Sequence, residues 1–82
     1  MKLPRDLSGA EVAKALATLG YVVTRQTGSH MRLSTLEGGV HHVTVPAHKA
    51  IPLGTLREIL RQVAGHLQIG LNELAPRLFR SI

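Results

Sequence analysis

The sequence predicts an α+β two-layer sandwich with the element order α-β-β-β-α. Three observations predict it: a helix-capping pattern followed by apolar residues at helical spacing, three strand-like runs separated by turn signals, and a second amphipathic segment. A length of 82 residues fits one domain, which we expect to span residues 1–82. A chain of this size buries roughly 60% of its unfolded surface, so large cavities are not expected.

The first helix is predicted over residues 9–19. Ser8 and Glu11 have the S-x-x-E spacing of a capping box, in which each side chain accepts from a backbone N–H group near the start of the helix. Val12, Leu16 and Leu19 then recur at helical spacing and define one apolar face. Gly20 follows where a left-handed residue ends many helices.

Three strands are predicted over residues 21–27, 30–34 and 41–45. The first two are separated by Gly28-Ser29, and the last two by a turn at residues 37–39. The short connections favour an antiparallel meander. Pro46 closes the third strand.

A second helix is predicted to begin with Thr55 as its N-cap and to end at Gly65. Its apolar face would carry Leu56, Ile59, Leu60 and Val63. Residues 71–79 have the pattern of a short third helix, but Pro76 opposes its continuity because proline lacks the N–H group that a helix uses.

The alternation along the strands predicts two different sheet faces. If Met31, Leu33, Val43 and Val45 face the helices, the other side of the sheet carries His30, Arg32, Ser34, His42 and Thr44. Because both helices are expected on the first side, we expect the second side to be polar and solvated.

Composition limits the classes of function. Ten Lys and Arg residues face five Asp and Glu residues, a net charge of +5 that favours a polyanionic partner, most often nucleic acid. One Tyr, one Phe and no Trp argue against a surface that stacks bases in series. The absence of cysteine excludes disulfides and thiolate metal sites. No segment approaches the ~20 apolar residues of a membrane span, so a soluble cytoplasmic protein is expected.

His30 is the candidate for chemistry. It follows the Gly28-Ser29 turn directly, so its backbone is held while its ring can meet a ligand. Imidazole exchanges protons near neutral pH, and RNA supplies its own nucleophile, the 2′-hydroxyl group. Arg25, Arg32 or Lys49 would stabilise the charge that develops on the phosphate. His42, Ser29 or water are candidates for the second acid–base partner.

Three other interpretations of these residues stay open. A single histidine at a strand end is often a tolerated surface residue. His30, His42 and His48 could hold a zinc ion, although their spacing matches no common ligand pair. Gly54-Thr55 could bind a phosphate at a helix N-terminus, although ordinary capping explains the same residues.

Two runs of the sequence carry a family resemblance. The run GYVVTRQTGSH at residues 20–30 and the run HHVTVPAHKAIPLGTLREILRQVAG at residues 41–65 resemble the HicA toxins of prokaryotic toxin–antitoxin systems. The resemblance covers about residues 6–66. The segment after Gly65 is longer than is usual in that family and contains Pro76, so the resemblance does not extend to a helix or to antitoxin contacts there.

The resemblance implies a fold and an activity. HicA toxins have a fold like that of double-stranded-RNA-binding domains, and they cleave mRNA with the histidine of the GSH block, here His30. Arg25, Gly28 and Ser29 match the same block, and the last two would shape its turn. His48 and Lys49 match a basic loop that contacts RNA phosphates. A HicB antitoxin covers the catalytic histidine.

We therefore expect a metal-independent endoribonuclease toxin with no cofactor, which binds mRNA and a HicB-like antitoxin. The expected RNA-binding residues are Arg25, Arg32, His42, His48 and Lys49. Two alternatives remain: a non-catalytic RNA-binding module of the same fold, and an inactive protein whose only role is to bind an antitoxin-like partner.

Overall fold

The computed structural model describes residues 3–79, and Lys2 and Arg80 lie outside the described residues. The order of elements confirms the predicted α-β-β-β-α arrangement, and the short third helix that the sequence left open is present at the end. The elements are α1 (Gly9–Ala17), β1 (Val22–Thr27), β2 (His30–Thr35), β3 (His41–Pro46), α2 (Leu53–Leu67) and α3 (Leu71–Phe79).

The three strands form one antiparallel sheet in the order β1-β2-β3, as the short connections predicted. Only two residues, Gly28 and Ser29, connect β1 to β2. Gly28 has a φ of 58° whereas Ser29 is not left-handed, the pattern of a hairpin turn with glycine in its first central position. The β1–β2 register shifts between Val23 and Arg25, so Thr24 lies in a bulge.

The start of α1 confirms the predicted capping box. The Ser8 hydroxyl accepts from the Glu11 backbone N–H at 3.0 Å, and a Glu11 carboxylate oxygen accepts from the Ser8 backbone N–H at 2.9 Å. The helix ends at Ala17, two residues earlier than predicted. The backbone N–H groups of residues 18–20 bond to carbonyls three residues back, which tightens the last turn. Gly20 then has a positive φ.

Both predicted boundaries of α2 were wrong. The helix begins at Leu53, because the Leu56 N–H bonds to the Pro52 carbonyl, so Thr55 lies inside the first turn and caps nothing. It also passes through Gly65 and ends at Leu67. Gln68 takes the left-handed conformation, and the Ile69 N–H bonds to the Ala64 carbonyl in a Schellman motif. Ile69 packs against the core, which fixes the end of the helix there.

The third helix is continuous from Leu71 to Phe79 although Pro76 lies inside it. The neighbouring residues Leu74 and Ala75 are buried in the core, whereas Pro76 is exposed. Packing of this apolar side against the rest of the protein therefore outweighs the hydrogen bond that the proline cannot make.

The helices cover one face of the sheet. α1 packs against β1 and β3, and α2 packs against β3. The fully buried side chains between these layers include Leu16, Leu33, Val45, Leu60 and Val63. Such burial contributes roughly 1.5–3 kcal/mol per large aliphatic side chain and orients the sheet. The opposite face, which we call the outer face, stays uncovered within the described residues and carries the candidate site.

Candidate nucleic-acid interface on the outer face of the sheet

Strand alternation places the predicted residues on the outer face. Met31 and Leu33 are buried, whereas His30 and Arg32 are exposed. Along β3, Val43 and Val45 are buried, whereas His42 and Thr44 are exposed. The predicted assignment of the two faces is thus confirmed.

His30 lies at the hairpin end of the outer face. It is the first residue of β2 and is paired with Thr27 on one side and with Pro46 on the other. A 2.6 Å hydrogen bond from the Ala47 N–H to the Ser29 carbonyl holds the preceding residue. The backbone of His30 is therefore fixed from both neighbouring strands. Within residues 3–79 its exposed imidazole has no hydrogen-bond partner, so the ring is free to meet a ligand.

Two arginines face each other beside His30. Arg32 is the next residue of β2 on the outer face, and Arg25 of β1 is its direct partner. Like charges in opposed positions of two strands are destabilising. In the described part of the chain the one salt bridge joins Arg77 to Glu73 on α3, so no carboxylate offsets this pair. The sheet thus holds a local excess of positive charge at a stability cost.

The loop after β3 adds further basic residues at the same end of the molecule. His48 and Lys49 are exposed. The loop is tied to the start of α1, because the Gly9 N–H bonds to the His48 carbonyl at 2.9 Å. Gly9 also lies so close to the Pro46 carbonyl that a side chain on it would overlap that oxygen. This contact and the Ala47 bond fix the loop beside the strand end that carries His30.

His42 lies at the other end of the outer face. It pairs with Ser34, four residues along β2 from His30, a separation of roughly 13 Å at about 3.3 Å per residue. The two imidazoles are therefore too far apart to act on one phosphate. His48 does not complete a metal site with them: within residues 3–79 no three histidine or acidic side chains come together as metal ligands.

The comparison with known families confirms the resemblance that the sequence carries. The family model described as HicA toxin of bacterial toxin-antitoxin matches residues 9–64, which run from the start of α1 to near the end of α2. The chain belongs to the HicA toxin family. It is therefore the toxin of a toxin–antitoxin system. Neither the curated proteins nor the solved structures gave a significant match.

Residues 65–79 of the toxin lie beyond the family match, and they include the C-terminal helix α3. None of the helices in the described range is both long enough and apolar enough to cross a membrane. Gly54 and Thr55 are exposed in the first turn of α2.

The outer face of the toxin is not polar throughout, which corrects the expectation drawn from the sequence. Val22, Leu36 and Val40 are 60%, 80% and 66% exposed and line an open depression of about 430 Å³ beside His42. The signal in the sequence was the pair of aliphatic residues that bracket the predicted turn at residues 37–39, where polar residues are usual.

A second feature that sequence reasoning missed is a stack of two histidines at the edge of the core. The buried Tyr21 hydroxyl and His41 Nδ1 are 2.8 Å apart, and the His41 ring stacks on the His66 ring with a centroid distance of 4.4 Å. His66 Nε2 lies 2.9 Å from the Glu37 carbonyl. Burial lowers the pKa of His41, and the nearby His66 and then His42 lower it further. His66 thus packs on His41 and lies against the backbone of Glu37, contacts that join the end of α2 to the β2–β3 turn.

Proposed function

We propose that this HicA toxin is a metal-independent endoribonuclease in which His30 is the general base or acid. The observation that carries the proposal is the exposed, unpartnered His30 ring at the fixed end of β2, beside the opposed pair Arg25 and Arg32. An uncompensated pair of cations suits a phosphodiester, because a phosphate binds both guanidinium groups and relieves their repulsion.

The reaction needs one proton acceptor and one proton donor. His30 takes the proton of the 2′-hydroxyl group, and the 2′-oxygen attacks the adjacent phosphorus. The bond from phosphorus to the 5′-oxygen breaks, and that oxygen takes a proton from water or another acid. The products are a 2′,3′-cyclic phosphate and a 5′-hydroxyl end. General-base assistance of this kind accelerates a reaction roughly 10²- to 10⁴-fold.

The neighbouring cations would act on the phosphate. Arg32 follows His30 on the same face at a spacing of about 7 Å, within reach of its long side chain. Arg25 lies directly across from it. Together they would stabilise the extra negative charge of the transition state. Lys49 and His48 in the adjacent loop would bind the flanking phosphates of the strand.

The decisive experiment incubates labelled single-stranded RNA with the purified toxin in EDTA, beside His30→Ala and His30→Lys. We expect cleavage by the wild type alone, with 2′,3′-cyclic phosphate ends. His30→Lys should keep RNA affinity because it keeps a positive charge at the site. Cleavage by either variant would refute the role of His30. Binding by all three proteins without cleavage would instead identify a non-catalytic RNA-binding module.

The same geometry bears on the antitoxin partner. A HicB-like antitoxin that neutralises the toxin needs only to cover the outer face, where His30 and both arginines are exposed. The complementary surface would be acidic, since the face carries no carboxylate beside these cations within the described residues. Hydrogen exchange of the toxin with and without the antitoxin tests this: protection of β2 and the loop at residues 47–50 is expected. Protection confined to α2 and α3 would contradict it.

A further inference from the structure

The depression beside His42 has the composition of a small binding site. Its walls include Val22, Leu36 and Val40, and its polar side chains include Thr24, Ser34 and His42. A volume of about 430 Å³ falls in the range of ligand sites, which are mostly apolar with a few convergent polar groups. Three exposed aliphatic residues thus line one depression together with polar side chains that could orient a ligand.

The polar side chains are ordered by a chain of hydrogen bonds. The Thr24 hydroxyl donates to the Arg32 carbonyl at 3.2 Å and lies 2.8 Å from the Ser34 hydroxyl. The Ser34 hydroxyl in turn lies 2.6 Å from His42 Nδ1. Each hydroxyl has one proton, so all three bonds form together only if Ser34 donates to Thr24 and His42 Nδ1–H donates to Ser34.

This pattern defines what a neutral His42 offers to a ligand. With its proton on Nδ1, a neutral imidazole keeps a lone pair on Nε2. His42 lines the depression, so Nε2 is an acceptor for an N–H donor placed there. The amino and imino groups of nucleobases are donors of this kind. An aliphatic side chain from a protein would leave this ordered acceptor without a partner.

We propose that the depression is a nucleobase subsite of the ribonuclease, which rests on the function proposed above. The subsite binds a base that is not next to the cleaved phosphate but further along the same RNA chain. The separation of roughly 13 Å from His30 sets that offset. The aliphatic walls hold the ring of the base, and His42 Nε2 selects bases by the position of the N–H group on the ring.

The outer face has no Phe, Tyr or Trp side chain to stack a base, since Tyr21 is buried and Phe79 lies on α3. Insertion between the aliphatic side chains of the depression is the way in which this subsite would hold a base. Selection should then depend on the hydrogen bond to His42 more than on stacking. The toxin should show a base preference at one position away from the cut.

A randomised single-stranded RNA cleaved in EDTA, with sequencing of the ends, tests the preference. His42→Asn keeps a donor near the position of Nδ1 for Ser34 and removes Nε2. We expect it to abolish the preference at that position and to raise KM about three- to tenfold, the effect of one hydrogen bond. Gln62→Ala, exposed on α2, is the control and should leave the profile unchanged. An unchanged profile in His42→Asn would overturn the subsite.

A binding measurement separates this inference from the cleavage proposal. Methyl NMR of the His30→Ala toxin follows Val22, Leu36 and Val40 while a short single-stranded RNA, or an abasic strand of equal length, is added. Shifts with the RNA but not with the abasic strand support the subsite, even if the wild type proves unable to cleave. Equal shifts with both strands, or shifts only with the antitoxin, would refute it. Circular dichroism confirms that each variant is folded.

Discussion

Replacing Arg32 by Gln should change RNA binding and stability in opposite directions. Arg32 and Arg25 are directly opposed, so their Cβ atoms lie about 5 Å apart. Two unit charges at that distance in water repel each other by about 0.8 kcal/mol, and this repulsion falls when the guanidinium groups separate and when salt screens them. We therefore expect Arg32→Gln to stabilise the free toxin by about 0.5 kcal/mol. For a chain of this length that raises Tm by about 2–4 °C.

The same substitution removes one phosphate contact. For a single-stranded nucleic acid each neutralised phosphate contributes about 0.7 to the slope of log K against log salt. Arg32→Gln should therefore reduce that slope by about 0.7 and weaken RNA binding at moderate salt. Fluorescence anisotropy of labelled RNA over a salt series measures the slope, and a thermal melt of the free protein measures the stability.

Arg61→Gln is the matched control because it removes the same charge from the exposed side of α2, away from the outer face. Arg57 and Glu58 lie within one turn of Arg61, so their effects on it largely offset each other. The control should leave the salt slope and Tm nearly unchanged. If the two variants behave alike in both measurements, the opposed arginines are not the phosphate site and the reasoning fails.

Three further predictions concern stability. Gly9→Ala should lower the free energy of unfolding in urea by about 1–3 kcal/mol, because the added methyl group meets the Pro46 carbonyl. A decrease below about 0.5 kcal/mol, the usual size for surface substitutions, would show that the loop moves aside at little cost. Gly65→Ala should instead stabilise the toxin by about 0.5–1 kcal/mol, because this glycine lies inside α2 with open space around it. Destabilisation would show that the helix needs a glycine at this position. The lowered pKa of His41 means that the unfolded chain binds its proton more tightly. The stability that neutral His41 contributes is therefore present above its ordinary pKa of 6.5 and is lost as pH falls from there through the folded pKa. Urea unfolding at several pH values should show this loss, and His41→Asn should flatten it.

Several elements of the fold could be predicted because their causes are local. The capping box of Ser8 and Glu11, the Gly28 turn and the alternation along β2 depend on residues close together in the chain. The ends of α2 could not be predicted in the same way. Thr55 and Gly65 are favourable boundary residues, but the packing of the partly buried Ile69 against the core accompanies a helix end beyond Gly65. Long-range packing outweighed a local preference of about 1 kcal/mol.

The same distinction between local causes and long-range packing applies to the candidate site. The sequence by itself determined that His30 follows a tight turn and that the chain is basic, because turn chemistry and composition decide these properties. It also determined that His42 shares the exposed face with His30, because side chains alternate between the two faces of a strand. Only the tertiary structure decided that Arg25 opposes Arg32, that His30 and His42 lie at opposite ends of the face, and that aliphatic residues surround the latter. Strand register and a bulge set these distances, and both depend on which residues the helices bury.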